Sequence, residues 1–366
     1  RIGIVDIFWQ MTGCTDDKRL LYLTYVESSI TIFYFITTLS SLVFLKTDIL
    51  DIQLFALLCL LIESFILLSI TFRLYHQNDF REMNYHSKML RIPEDYQSKI
   101  DALTVYHIIA PNIFVITPFL YTVMNDSVFM GDPFTFPYLD VFPIQTNNVF
   151  VYTIKYMVYA VSVYIAHLEL SFINILFIYY AGIVKGKLDL IINAMKGVLA
   201  DNDEKTLKKA IIQHQEFLKY FETMKNVYGK PILLTISFNA IYFGLTTSLV
   251  IQAIQGFLNP IIFSICVASS IAAIINMTIY TSYGSIMSDS HDDLLRTLFD
   301  YPLLVANKSF KRNVLIMMTR TIISLDFTIG YIFIVNLNLL VKIVKMSYTV
   351  LNVLLSSGSL NKSHMV

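Results

Sequence analysis

The sequence predicts an all-α membrane protein: seven transmembrane helices, the N-terminus cytoplasmic and the C-terminus extracellular, with a cytoplasmic helical anchor bundle. Three observations carry that expectation. The 366 residues are 55% hydrophobic and only 15% charged, with a mean hydropathy of +0.61, far too apolar for a soluble chain of this length. Seven runs approach the ~20 apolar residues that cross a hydrocarbon core of about 30 Å; they are 21–45, 50–75, 103–124, 150–183, 231–255, 259–283 and 329–356. Lysine and arginine, finally, crowd into alternate loops, which orients the spans.

Helices rather than barrel strands follow from the length of the runs and the lack of period-two alternation. The fifth and seventh runs are interrupted by polar residues. Between the second and third spans lie Arg73, Arg81, Lys88, Arg91 and Lys99. Between the fourth and fifth lie Lys185, Lys187, Lys196, Lys205, Lys208, Lys209, Lys219, Lys225 and Lys230. Before the seventh lie Arg296, Lys308, Lys311, Arg312 and Arg320. The opposite loops, 125–148 and 255–260, carry no positive charge. The basic loops are therefore expected in the cytoplasm.

The same reading divides the chain in order. Residues 1–183 hold spans one to four, and 184–230 form a cytoplasmic helical segment. Residues 231–283 hold spans five and six, and 284–328 are cytoplasmic anchor helices. Residues 329–357 are the seventh helix. The small polar tail, 358–366, reads equally as a natural end or a cloning remnant. Within 207–229, Ile211, Ile212, His214/Gln215, Leu218, Phe221 and Met224 recur at helical spacing, and 309–327 repeats the pattern. Helices four, five and six are expected to continue below the membrane and pack with these segments. Their amphipathic faces would meet the chain itself or another subunit. In the loop 125–148, Pro133, Pro137 and Pro143 stand among Phe134, Phe136, Tyr138 and Phe142, a composition suited to a compact lid. Asn125-Asp-Ser127 is a glycosylation sequon on the outer side; Asn307-Lys-Ser309 falls on the inner side and is discounted.

Several function classes lose support. Lys+Arg and Asp+Glu number 27 each, so no basic excess points to nucleic acid. Cys14, Cys59 and Cys266 form neither a disulfide framework nor a zinc pattern. No cleavable signal peptide opens the sequence. There is no P-loop, dinucleotide fingerprint, G-x-S-x-G or H-E-x-x-H, so neither an enzyme nor a cofactor is expected. SDSHDD (288–293) gathers three aspartates around His291 and could bind a metal, though solvated helix polarity or a subunit contact is the simpler reading. Glu63 and Ser64 lie in the second span, His167 and Glu169 in the fourth. Such groups are costly in lipid and often functional; interhelical hydrogen bonding is the plainer role. A proton-coupled transporter would use Glu63, His167 and Glu169, but no inverted repeat or paired broken helix accompanies them.

The outer halves of the helices carry the candidate binding residues. Tyr152, Tyr156 and Tyr159 share one face of the fourth span. Phe114, Thr117 and Tyr121 come from the third at the same depth, Phe55, Cys59 and Ile62 from the second, and Ile262, Phe263 and Cys266 from the sixth. Aromatic walls with a few hydroxyls suit a small, apolar, volatile ligand; an aromatic belt with ordinary core packing accounts for each residue singly.

These residues and their order resemble the insect odorant receptor family, over nearly the whole chain. IIQHQEFLKYFETMKNVYG resembles the family's His-Gln segment before helix five, and DPFTFPYLDVFP its aromatic-proline outer loop. RNVLIMMTRT (312–321) resembles the short helix before the last span, and VKIVKMSYTVLNVLL the terminal pore helix with its Ser-Tyr pair. The resemblance departs in lacking a tryptophan in 299–310; the single one is Trp9. The Thr-Tyr…Gln-Phe signature of the related gustatory receptors is missing. So is the long insertion that the family's co-receptor carries before helix five. The resemblance therefore implies a tuning subunit that joins the co-receptor in a heterotetrameric, odorant-gated, non-selective cation channel. It implies a place in the lipid of the plasma membrane, in the dendrites of olfactory sensory neurons. The odorant would be small and aromatic, such as a phenol or indole. Alignment on Ser347-Tyr348 places Leu351 at the family's hydrophobic constriction, which gates by dewetting, with Tyr348 and Leu354 one turn to either side. At about 100° per residue, Val344, Ser347, Tyr348, Leu351 and Leu355 share that face. Lys342, Lys345, Thr349 and Asn352 cluster on an adjacent one, where bare lysines would repel the cations of such a channel.

Overall fold

The computed structural model describes residues 93–124, 148–201, 203–254, 260–301, 307–329 and 333–362, with scattered positions between 29 and 83. Phe55, Cys59, Glu63, Asn125 and the proline-aromatic loop lie outside the described residues. The elements are α1 (Glu94–Met124), α2 (Val149–Asp201), α3 (Glu204–Ile254), α4 (Pro260–Phe299), α5 (Lys308–Thr321), β1 (Thr328–Ile329), β2 (Phe333–Ile334) and α6 (Leu337–Lys362). Among the described residues, four helical stretches are long and apolar enough to cross a membrane: Glu94–Leu120, Val149–Val198, Glu204–Ile251 and Phe263–Phe299.

The lengths of these helices set the architecture. α2 has 53 residues and α3 has 51, so each runs about 75–80 Å, far beyond a ~30 Å hydrocarbon core. Within 184–230, the first part is the end of α2 and most of the remainder the start of α3. Asp203 turns the chain between them, accepting from the Lys205 backbone N–H at 2.9 Å and from the Thr206 hydroxyl. The Thr206 hydrogen bond is the chief reason the Asp203 carboxyl is held below its ordinary pKa.

The two ends of the bundle differ in kind. Along α1 and the first half of α2, large apolar side chains point outward, among them Ile108, Ile113, Phe150, Met157 and Val161. Water would not tolerate such a surface on this scale; lipid does. At the lysine-rich end the order reverses, and one large core joins α2 (Phe172 to Val198) with α3, α4, α5 and the hairpin. Phe177 alone meets the rings of Tyr228, Tyr280 and Phe327 at 5.2–5.7 Å. Each fully buried side chain of this size stabilises by about 1.5–3 kcal/mol.

On α3 the buried stripe is Leu207, Ala210, His214, Phe217, Tyr220, Phe221 and Met224. Of the face expected there, His214, Phe221 and Met224 are buried and Ile211 and Leu218 pack half-buried against the core, while Ile212 and Gln215 face outward. α5 buries Phe310, Val314, Met317, Met318 and Thr321. Its cap is Asn307, whose side chain accepts from Phe310 N at 2.7 Å, so the discounted sequon serves as a helix start. The seventh helix does not begin at 329. Thr328↔Ile334 and Ile329↔Phe333 pair as an antiparallel hairpin, and α6 starts only at Leu337, after Asn336 caps Leu339 N at 3.1 Å.

Candidate functional site

The tyrosine face of α2 is inward and solid. Tyr152, Tyr156 and Tyr159 are all buried, Tyr159 completely. Tyr152 and Tyr156 lie 5.5 Å apart ring to ring, and Tyr156 meets Phe119 of α1 at 5.6 Å. The Tyr156 hydroxyl donates to Val115 O of α1, one residue past Phe114, whose carbonyl loses its usual donor at Pro118. One turn deeper, Tyr164 donates to Asn112 Oδ1 at 2.7 Å, and Phe114 sits 5.4 Å from the His167 ring. Thr117 is half-buried on the same helix.

Sequence reasoning missed Lys155. It lies on the tyrosine face and is only 4% exposed, at i+3 from Tyr152. A lysine inside an apolar span was the available signal.

The remaining candidates form a second group. Ile62 and Cys266 share a small cluster with Leu249 of α3, and Ser270, one turn past Cys266, donates to Thr246 at 2.8 Å. Phe263 points outward, at 37% exposure. Tyr121 and Ile262 lie within α1 and α4 as backbone positions.

Among the described ionisable residues of the spans, Glu169 and His167 make hydrogen bonds inside the bundle. Glu169 is buried and accepts from the Ser69 hydroxyl at 3.1 Å. The His167 ring nitrogen meets Val163 O of its own helix at 2.9 Å. A further polar layer was not foreseen. Asn174 donates to Asn276 at 2.8 Å, accepts from Tyr280 at 2.5 Å, and faces His107 Nε2 at 3.4 Å. It ties α1, α2 and α4 together where the lipid-facing part gives way to the dense core. His291 is likewise not solvated. It is buried against His214 of α3, rings stacked 6.3 Å apart, while Asp289, Asp292 and Asp293 point outward. Among the described residues no group of three metal-binding side chains exists.

α6 is held along one narrow stripe. Leu339, Ile343 and Ser347 are buried, at i, i+4 and i+8. Ser347 donates to Ala240 O of α3 at 3.4 Å. Beside the stripe Leu340 packs half-buried against the core, while Val341, Val344, Met346 and Tyr348 are 40–69% exposed, and Lys342, Lys345, Thr349 and Asn352 are exposed too. Ser347 and Tyr348 therefore face different ways. Leu351, Leu354 and Leu355 lie on the helix as backbone positions. Its first turn is fixed at α4, where Leu337 N donates to the Ser285 hydroxyl at 3.2 Å. Gly284 makes room: a Cβ there would come within 2.0 Å of Val335 O.

The architecture has solved relatives in shape. The insect olfactory receptor OR5 from Machilis hrabei in complex with eugenol superposes with a TM-score of 0.80, covering 96% of this chain and 97% of that one at 12% identity. A second structure of Machilis hrabei OR5 gives a TM-score of 0.76 at 12% identity and 96% coverage of both chains. No curated protein is a significant sequence match. At such identity the superpositions establish the fold. Membership comes from the sequence, where the profile of the 7tm Odorant receptor family matches residues 72–348. A membrane bundle with this fold and this match over most of its length belongs to the 7tm odorant receptor family.

Proposed function

We propose that this chain is the ligand-binding subunit of an odorant-gated, non-selective cation channel in the plasma membrane, completed by the family's co-receptor. The observation that carries the reading is the one-sided attachment of α6. A helix held through Leu339, Leu340, Ile343 and Ser347 leaves Val341, Val344, Met346 and Tyr348 exposed, and further subunits around a central pore would cover them. Leu315 and Ile316 on α5 and Ile322 and Ile323 just after it are exposed at the lysine-rich end, which supports subunit contact there too. With the basic ends cytoplasmic, the tyrosine face lies in the outer half. Leu351 and Leu355 follow Tyr348 at i+3 and i+7 and turn to the same side; Leu351 is the proposed gate, flanked by Tyr348 and Leu354.

The binding wall is Tyr152, Tyr156 and Tyr159 with Phe114, Thr117 and Tyr121, closed by Phe55, Cys59, Ile62, Ile262, Phe263 and Cys266. A small aromatic odorant suits these walls, and the eugenol complex of OR5 supports that class. Binding opens the channel only insofar as the ligand holds the open state more tightly. The transporter alternative loses its support, since Glu169 and His167 make packing hydrogen bonds. The test is whole-cell current on odorant application, with the chain expressed alone and with an insect co-receptor. Current only on co-expression is the expected result; current from the chain alone would refute the need for a partner.

A further inference from the structure

A cavity of about 300 Å³ opens at the lysine-rich end between the residues following the second span, α2 and α3. Its lining includes Glu82, Lys187, Glu216, Lys219, Tyr220 and Thr223. Two ammonium groups and two carboxylates thus face one volume. Glu216, Lys219, Tyr220 and Thr223 fall at i, i+3, i+4 and i+7 on α3, one face of one helix. Lys187 reaches across from α2 and sits 4.3 Å over the Tyr220 ring. No ion pair to Lys187 exists among the described residues, and burial lowers its pKa against the pull of Glu216. The Tyr220 hydroxyl is buried without a hydrogen-bond partner, on a residue only 6% exposed. Such an orphan is costly; it is the Tyr220 ring, under the Lys187 ammonium, that faces the cavity.

The lining selects a charge pattern. A bare anion would meet Glu82 and Glu216; a bare cation would meet Lys187 and Lys219. We infer that this cavity binds a phosphate ester bearing a primary ammonium, with phosphate oxygens accepting from Lys187 and Lys219 and the ammonium donating to Glu82 and Glu216. An aminophospholipid headgroup carries this chemistry. Lys187 lies four residues past the expected end of the fourth span and Lys219 twelve before the expected start of the fifth, about 6 Å and 18 Å along their helices, so the cavity starts at the headgroup layer, roughly 5–7 Å thick, and extends below it. This rests on the membrane placement proposed above. A soluble phosphoethanolamine has the same chemistry.

The experiment reconstitutes the full chain, with its co-receptor where the complex is the stable form. It uses nanodiscs of phosphatidylethanolamine, phosphatidylcholine and phosphatidic acid in equal parts. Lipid retained after detergent exchange is measured by mass spectrometry, with free phosphoethanolamine as competitor. Phosphatidylethanolamine should be retained at least 5-fold over the other two, lost in Lys187→Gln and Lys219→Gln, and kept in Lys187→Arg. Retention of free phosphoethanolamine in place of lipid would keep the site and change the source. Equal retention of all three lipids without phosphoethanolamine binding, or unchanged selectivity in Lys187→Gln, would overturn it. The placement is tested apart, by accessibility of an epitope tag inserted after Asp201 in intact and permeabilised cells. An external tag would move the site to the other leaflet without removing it.

Discussion

At the scale of single residues, two positions state what the packing demands. Gly284 lets the backbone at Val335 approach α4, and a Cβ there would meet a carbonyl oxygen at 2.0 Å. Backbone cannot swing aside as a side chain does, so Gly284→Ala should destabilise by about 1–3 kcal/mol. It should also disturb gating, because the displaced segment is the root of α6. Gly197 is the control: nothing lies within 4 Å of its added Cβ, and Gly197→Ala in an exposed helix should be neutral or stabilise by up to ~1 kcal/mol. Thermal unfolding of the two purified variants checks the pair; equal melting temperatures would refute the close approach. In the tyrosine wall, Tyr156→Phe removes the hydroxyl given to Val115 O while keeping the ring. A cost of about 1 kcal/mol is expected, with odorant sensitivity reduced less than in Tyr156→Ala.

At the scale of elements, the histidine pair sets how the lysine-rich bundle answers to pH. His214 and His291 stack in the core between α3 and α4. Burial pushes His214 down to about 4, helped by His291 and Arg320. Burial also lowers His291, against Asp292 and Asp326, which favour its charge. A histidine depressed in the folded state stays neutral while its unfolded counterpart, with an ordinary value of 6.5, takes up a proton. The unfolded state then binds more protons, so stability falls as pH drops from about 6.5 toward 4 and is flat above. For His214 the loss reaches roughly 3 kcal/mol at the bottom of that window. Melting temperature between pH 7.5 and 5 should fall in the wild type and fall less in His214→Gln. A parallel decline in both would remove the pair from the account.

At the scale of the whole molecule, two surfaces coexist. One end shows lipid-compatible side chains outward; the other has a dense core under charged faces and a few open apolar residues on α5 and α6. A long apolar helix held by one stripe is an element awaiting neighbours. Its proposed gate gives the sharpest test. Leu351→Ala shortens the apolar ring, so an expressed heteromer should show higher basal current or altered ion selectivity, whereas unchanged gating and selectivity would displace the gate from Leu351. Cysteine at Ile316 should form cross-links between subunits if the open face of α5 is an interface.

By itself the sequence determined the class. Run length, the alternation of lysine-rich loops and the amphipathic period of 309–327 are local properties, so the membrane bundle and the short helix α5 were legible before any contact was known. Side-chain type and spacing likewise picked out Tyr152, Tyr156 and Tyr159 as one face. Only the tertiary structure decided what each face meets. It turned the α3 stripe from Ile212 to Phe217 and buried His291 against a histidine 77 positions earlier in the chain. It delayed the last helix to Leu337 in favour of a hairpin, and parted Ser347 from Tyr348. The physical reason is common to all four. Helical periodicity fixes which residues share a side, but in a chain this apolar almost every side could be buried. Which one is buried depends on neighbours far away in sequence.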